Sequence, residues 1–228
     1  MATIKLFVSN SMRGAMDELL PRFERETGHQ VEVSYDPAKL MMERIRRGEA
    51  ADVVILGGSA VEDLEKEGKV ARASRRLIAR CGVGVAVRAG ARKPAIGSVD
   101  DFKRALLAAR SIAWTQQGAS GMYFSKLIER LGIAAEIKKK AVRRPGGLIA
   151  ELVAGGEAEL AIQQIPELMA VPGVEVVGPL PPDIQQVTVS SGGIFAASKQ
   201  PQAAEDLLRF LKAPGPAAVL KARGLEPA

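Results

Sequence analysis

The strongest constraint in this chain is a regular switch between two hydrophobic periods. Short, continuous apolar runs ("IKLFV" at 4–8, "QVEVSY" at 30–35, "ADVVILG" at 51–57) alternate with segments whose apolar residues recur every three to four positions. Met12, Ala15, Met16, Leu19, Leu20 and Phe23 follow the helical spacing after the first run. "AKLMMERIRRGE" and "AVEDLEKEGKV", the latter closed by Gly68, repeat the arrangement. A βαβαβα series of this kind can bury its strands only as a parallel, doubly wound sheet with helices on its faces. The fold class expected is therefore α/β.

The pattern continues to the end of the chain. "CGVGVAVRAG" and "SIAWT" read as strands, and Ser98 with Asp101 has the spacing of a capping box for "VDDFKRALLAAR". "GASGMYFSKLIERLG" reads as a turn and a helix with Ser120 at the cap, "IKKKAVR" as a short strand, "GGLIAELVAGG" as a helix and "AELAIQQ" as a strand. Two further strands flank a proline-rich turn in "VEVVGPLPPDIQQVTVSSGGIFAAS", and two helices broken at Pro214 finish the chain. The long apolar strands near 79–89 and 186–197 are candidates for crossings between two lobes. The expected division is 1–80 plus 190–228 for one lobe and 81–189 for the other.

Composition narrows the function. Aromatic residues are 4% of the chain, too few for base-stacking platforms, so nucleic acid is not expected as a partner. The excess of Lys and Arg over Asp and Glu, 32 against 26, leaves a net charge of +6 that suits anionic partners in general. One cysteine (Cys81) rules out an internal disulfide, and the one histidine (His29), in the turn after Gly28, leaves neither a histidine-based triad nor a multi-histidine metal site to expect. No cofactor or metal is expected. No apolar segment reaches the ~20 residues that cross a bilayer. Met1 leads almost directly into the first strand, which places the chain in the cytoplasm as written, or in the periplasm if a leader was removed.

Three strand-to-helix junctions carry the chemistry. The first is the Ser-Asn-Ser turn at 9–11, with Ser11 at the expected N-cap and Gly28 at the helix end. Pro21, inside that helix, suggests a kink or a restart. The second junction holds Ser120, and the third the pair Gly146–Gly147. Helix N-termini carry unpaired N–H groups and a positive dipole end, so a small anion can be held there largely by neutral donors.

The order of "LFVSNSM…LLPRFERETGHQVEV", "RIRRGEAADVVIL", "DLEKEGKV", "SGMYFSKLIERLGI" and "RFLKAPGPAAVLKARGLEP" resembles the molybdate-binding-like periplasmic proteins of ABC transporters, over essentially the whole chain. That resemblance implies a type II solute-binding fold, with two α/β lobes, two crossing strands and a cleft. It also implies a monomer that hands a small anion to an ABC-transporter membrane component. Carried over residue by residue, the family's first serine falls on Ser11, beside Asn10. The backbone amides of the second lobe fall on Ser120 and on Gly146 or Gly147. The family's second serine falls near Ala38 or Lys39, and its tyrosine on Gln164, so two hydroxyl groups are replaced. Lys39, with Arg13 and Arg143 or Arg144, suits a carboxylate better than a tetrahedral oxyanion. A related branch, aconitate isomerase, gives the alternative of an enzyme acting on a tricarboxylate. Its proton-moving base would then be Lys39, Asp36 or Tyr123.

Overall fold

The computed structural model describes residues 1–228. The chain divides into two compact units: Met1–Cys81 with Thr188–Ala228, and Gly82–Val187.

In the first unit, β1 (Thr3–Ser9) pairs in parallel with β2 (Gln30–Asp36) and β3 (Val53–Gly57). The antiparallel strand β9 (Val187–Ile194) runs along β3. The chain leaves this unit within β4 (Arg76–Arg88) and returns to it at the start of β9. A short terminal strand, β10 (Glu226–Pro227), lies against the first half of β4. Helices α1 (Arg13–Thr27), α9 (Pro201–Leu211) and α10 (Pro214–Ala222) cover one face, where Leu6, Val8, Met16, Phe23, Ile55, Leu207 and Leu220 form a core. On the other face, α2 (Ala38–Arg46) and α3 (Gly58–Lys66) pack Met41, Ile45 and Leu64 on Val54 and Leu56. Alternate residues of β3 thus enter opposite cores, which is why that strand is apolar at every position rather than at every second one.

The second unit repeats the scheme. The order is β4, β7 (Leu160–Gln164), β5 (Ile112–Thr115) and β6 (Ala141–Arg144), with β8 (Val174–Pro179) also on β4. On one face, α4 (Val99–Ala108), α5 (Ala119–Arg130) and α6 (Ala134–Lys139) bury Phe102, Phe124, Ile128 and Ile137 around Trp114. The other face carries α7 (Glu151–Ala154) and α8 (Ile165–Met169).

Several local expectations hold. The Ser98 hydroxyl accepts from the Asp101 N–H at 3.1 Å and donates to its carboxylate at 2.7 Å, closing the capping box. Gly28 ends α1 at φ 72°, a left-handed conformation that glycine adopts without a Cβ clash.

Others are corrected. No restart occurs at Pro21, since α1 runs unbroken through it. Ile137–Lys139 are helical in α6, and the strand starts only at Ala141. The helix expected from Gly146 onward shrinks to the four residues of α7. Strand β4 begins at Arg76, earlier than its apolar stretch indicates, and α8 had no distinct sequence signal.

Candidate functional site

Parallel pairing brings the carboxyl ends of three strands to one edge of the first unit. Ser9 is in register with Asp36, Val8 with Ile55, and the antiparallel strand places Ser190 opposite Gly57. In open α/β sheets this is the edge where ligands sit. The Ser-Asn-Ser turn lies here, yet Ser11 is not the N-cap. Asn10–Met12 form a 3-10 turn ahead of α1, led by Ser9, and neither end of it has a side-chain cap bond. The Ser9 and Ser11 hydroxyls instead pair with each other at 3.1 Å, with both residues buried. The hydroxyls of Ser190 and Ser191 are buried without any partner. A buried hydroxyl without a hydrogen bond costs about 1–3 kcal/mol, so this edge holds polar capacity that the fold itself does not use.

Three cations stand around it. Lys39, on the first turn of α2, is exposed and has no ion pair. Arg13 lies over the Tyr35 ring at 4.5 Å, and Tyr35 donates to Asp17 at 2.8 Å. Burial and that neighbouring carboxylate push the Tyr35 phenol well above its ordinary range, so it stays protonated. Arg44 bridges Asp36 and Glu49 and stacks on Phe7. Asp36 is therefore committed to a structural ion pair, against the expectation of a free base.

The second unit has its own edge. Gln116 N–H donates to Arg144 O at 2.8 Å and Gln117 N–H to Pro145 O at 2.9 Å, extending the β5–β6 ladder into the loops beyond it. Helix α5 starts from Gly118, not from Ser120, which is the second helical residue and is buried. The reason is steric. A Cβ on Gly118 would stand 2.4 Å from the Thr115 hydroxyl, and one on Gly121 only 1.7 Å from the Thr115 carbonyl oxygen. Backbone is pressed against backbone here, and the first-turn N–H groups of α5, as in any helix, have no acceptor within it. The Thr115 hydroxyl is likewise buried and unpartnered.

Beside this turn runs the loop Pro145–Leu148. The N–H groups of Gly146, Gly147 and Leu148 donate to no protein acceptor. Gly147 has φ 87°. The buried Gln163 closes the loop: its Oε1 accepts from Ile149 N–H at 2.9 Å, and its Nε2 donates to Gly147 O at 2.8 Å.

Gln164 is buried and is the N-cap residue of α8. Glu167, three residues on, is half-buried, and desolvation pushes its carboxyl up to about 8. Hydrogen bonds from the Gln164 backbone and the Gln163 side chain only partly offset that rise.

Two expected site residues are otherwise engaged. Arg144 pairs with Glu151 at 3.2 Å and Glu157 at 3.7 Å, and Tyr123 donates to Ile184 O at 2.6 Å. Arg143 lies 5.8 Å from the centre of the Trp114 ring.

Sequence reasoning missed Thr115, Gln163, Glu167, Ser190 and Ser191, and included Ser9 only as part of the Ser-Asn-Ser turn.

A separate recess of about 820 Å³ lies at the opposite ends of these strands, between Val87–Arg88, Arg92–Ala95, Ala108–Ser111 and Ala158–Leu160. Its cations stand where α4 and α7 run out, the helix end that favours positive charge. No candidate site residue lines it. No group of three His, Cys, Asp or Glu side chains is placed to hold a metal, and no helix is long and apolar enough to cross a membrane.

Known proteins show the same architecture. A solved periplasmic molybdate-binding protein of Azotobacter vinelandii superposes with a TM-score of 0.81 at 21% identity, over 97% of this chain and 98% of that one. The sulfate-binding protein SubI of Mycobacterium tuberculosis gives 0.79 at 18% identity, over 100% and 88%. The fold is thus that of type II periplasmic binding proteins. In sequence, the chain is 35% identical to an aconitate isomerase of a Pseudomonas species, over 99% of this chain and 88% of that protein. It is 31% identical to the molybdate-binding protein ModA of Azotobacter vinelandii, over 98% and 89%. Residues 4–226 match the family described as bacterial extracellular solute-binding protein, and the chain belongs to that family.

Proposed function

We propose that this solute-binding protein takes a small organic di- or tricarboxylate. The observation that carries the reading is the set of donors that the fold leaves unused at its strand ends. These are, in the first unit, the one hydroxyl proton that the Ser9–Ser11 pair leaves over and the unpaired Lys39, and, in the second unit, the N–H groups of Gly146–Leu148. Each hydrogen bond from such a donor to a charged acceptor contributes about 1.5–3 kcal/mol. Ala38 and Gln164 stand where the resemblance expects hydroxyl groups, so a tetrahedral oxyanion loses partners here. Lys39 and Arg13 add positive charge suited to a carboxylate. An ABC-transporter membrane component as recipient, periplasmic action and a monomeric state complete the reading.

Calorimetry with trans-aconitate, citrate, succinate, molybdate and sulfate tests it. Binding of a polycarboxylate with molybdate silent is the expected result. Sub-micromolar molybdate affinity without carboxylate binding overturns it.

A second reading, an isomerase of tricarboxylates, is favoured by Glu167 and by the likeness to aconitate isomerase. A carboxyl with a pKa of about 8 can both take and return a proton near neutrality, as an allylic proton shift requires. Incubation with cis- and trans-aconitate in D2O, followed by NMR, reads it directly. Isomerisation with deuterium uptake supports the enzyme, and unchanged spectra leave a binder.

A further inference from the structure

The loop Pro145–Leu148 offers three successive N–H groups with no protein acceptor. Such a loop binds an anion well only if its backbone is already fixed, because ordering it on binding would consume affinity. Its own means are poor. Gly146 and Gly147 are the most flexible residues the chain has, Gly147 stands at φ 87°, and the helix that follows is only four residues long. The fixing comes from β7.

Gln163 is 1% exposed, and its amide is fully engaged. The carbonyl end accepts from Ile149 N–H and the amino end donates to Gly147 O, so one side chain grips the loop at two points two residues apart. The second amino hydrogen is available to the Glu167 carboxyl beside it. A buried glutamine could satisfy itself in many ways. Both ends landing on the one short segment, on either side of the Leu148 N–H and next to those of Gly146 and Gly147, are what set this residue apart.

We propose that Gln163 is the positioning residue of the site in the second unit, clamping the Gly146–Leu148 donors in the geometry that receives an anion. The role rests on the carboxylate-binding reading and adds to it a residue that need not touch the guest.

Two variants test the clamp. Gln163→Met keeps the length and loses both hydrogen bonds. With the fold intact by circular dichroism, trans-aconitate affinity should fall about tenfold or more, the equivalent of one charge-assisted donor misplaced. Gln163→Glu provides a rescue. At about pH 5 a protonated carboxyl reproduces one donor and one acceptor, and burial beside Glu167 keeps it protonated there. Affinity of this variant relative to the parent should therefore be near one at that pH, where Gln163→Met has lost about tenfold. Parent-like binding by Gln163→Met, or a loss in Gln163→Glu at about pH 5 as large as that in Gln163→Met, overturns the proposal.

If the parent binds no anion at all, the functional reading fails on its own. The clamp is then read from amide exchange in the free protein. Faster exchange at Gly146–Leu148 in Gln163→Met supports it, and equal exchange overturns it.

Discussion

Replacing Glu167 by glutamine should change how stability depends on pH. In the folded chain the Glu167 carboxyl titrates at about 8, against an ordinary value of 4.5, because burial disfavours its charged form. Between these values the folded state holds a proton that the unfolded state has released. The unfolded state then binds fewer protons, so stability falls as pH rises across this window. It is flat below about 4.5, where both states are protonated, and flat again above about 8, where both are ionised. The shift multiplied by 1.36 kcal/mol per unit sets a ceiling of about 5 kcal/mol. Glu167 is half-buried rather than sealed, and screening by water brings the expected loss to about 2–3 kcal/mol. A glutamine at this position would keep the volume and the neutral hydrogen-bonding character without a titration. Urea unfolding of the parent and Glu167→Gln from pH 5 to 9 isolates the effect, because every other group titrates alike in both. The difference in stability should stay below about 1 kcal/mol at pH 5 and should favour the variant by about 2–3 kcal/mol at pH 9. Parallel curves would show that the carboxyl ionises at an ordinary pKa, and the enzyme reading would lose its proton carrier.

Three other substitutions have definite outcomes. Gly121→Ala would drive a Cβ to 1.7 Å from the Thr115 carbonyl oxygen, where only backbone movement gives relief, so thermal or urea unfolding should show a loss of about 3 kcal/mol or more. Ser11→Asp should abolish carboxylate binding in calorimetry, since its charge occupies the edge meant for the guest. Ser11→Ala should lose only the bond to Ser9, about 1 kcal/mol, and retain weakened binding. Equal affinity in Ser11→Asp and the parent would move the site away from this turn. Ser191→Ala removes a buried hydroxyl that has no partner, and the unliganded protein should gain about 0.5–1 kcal/mol in urea unfolding. A loss of that size would mean the hydroxyl is bonded after all.

The sequence by itself determined what depends on neighbours along the chain. The alternation of apolar runs with helical spacing was enough for the α/β class, because a strand buried on both faces and a helix buried on one leave different repeats. The Ser98–Asp101 box and the left-handed Gly28 were legible for the same reason: each is complete within four or five residues. The candidate site was legible only as a set of junctions. Ser11 and Ser120 look like caps in sequence. Helix α1 is preceded by a 3-10 turn, and α5 starts at Gly118, where it is pressed onto Thr115. Arg144 looks like a free cation until Glu151 and Glu157 are seen beside it, and Asp36 a free base until Arg44 closes on it. Most of all, Gln163 and Glu167 were invisible. One acts on a loop sixteen residues earlier in the chain, and the other owes its proton to burial. Desolvation and long-range hydrogen bonds belong to positions in space, so the tertiary structure alone decided which polar groups are spent on the fold and which remain for a ligand.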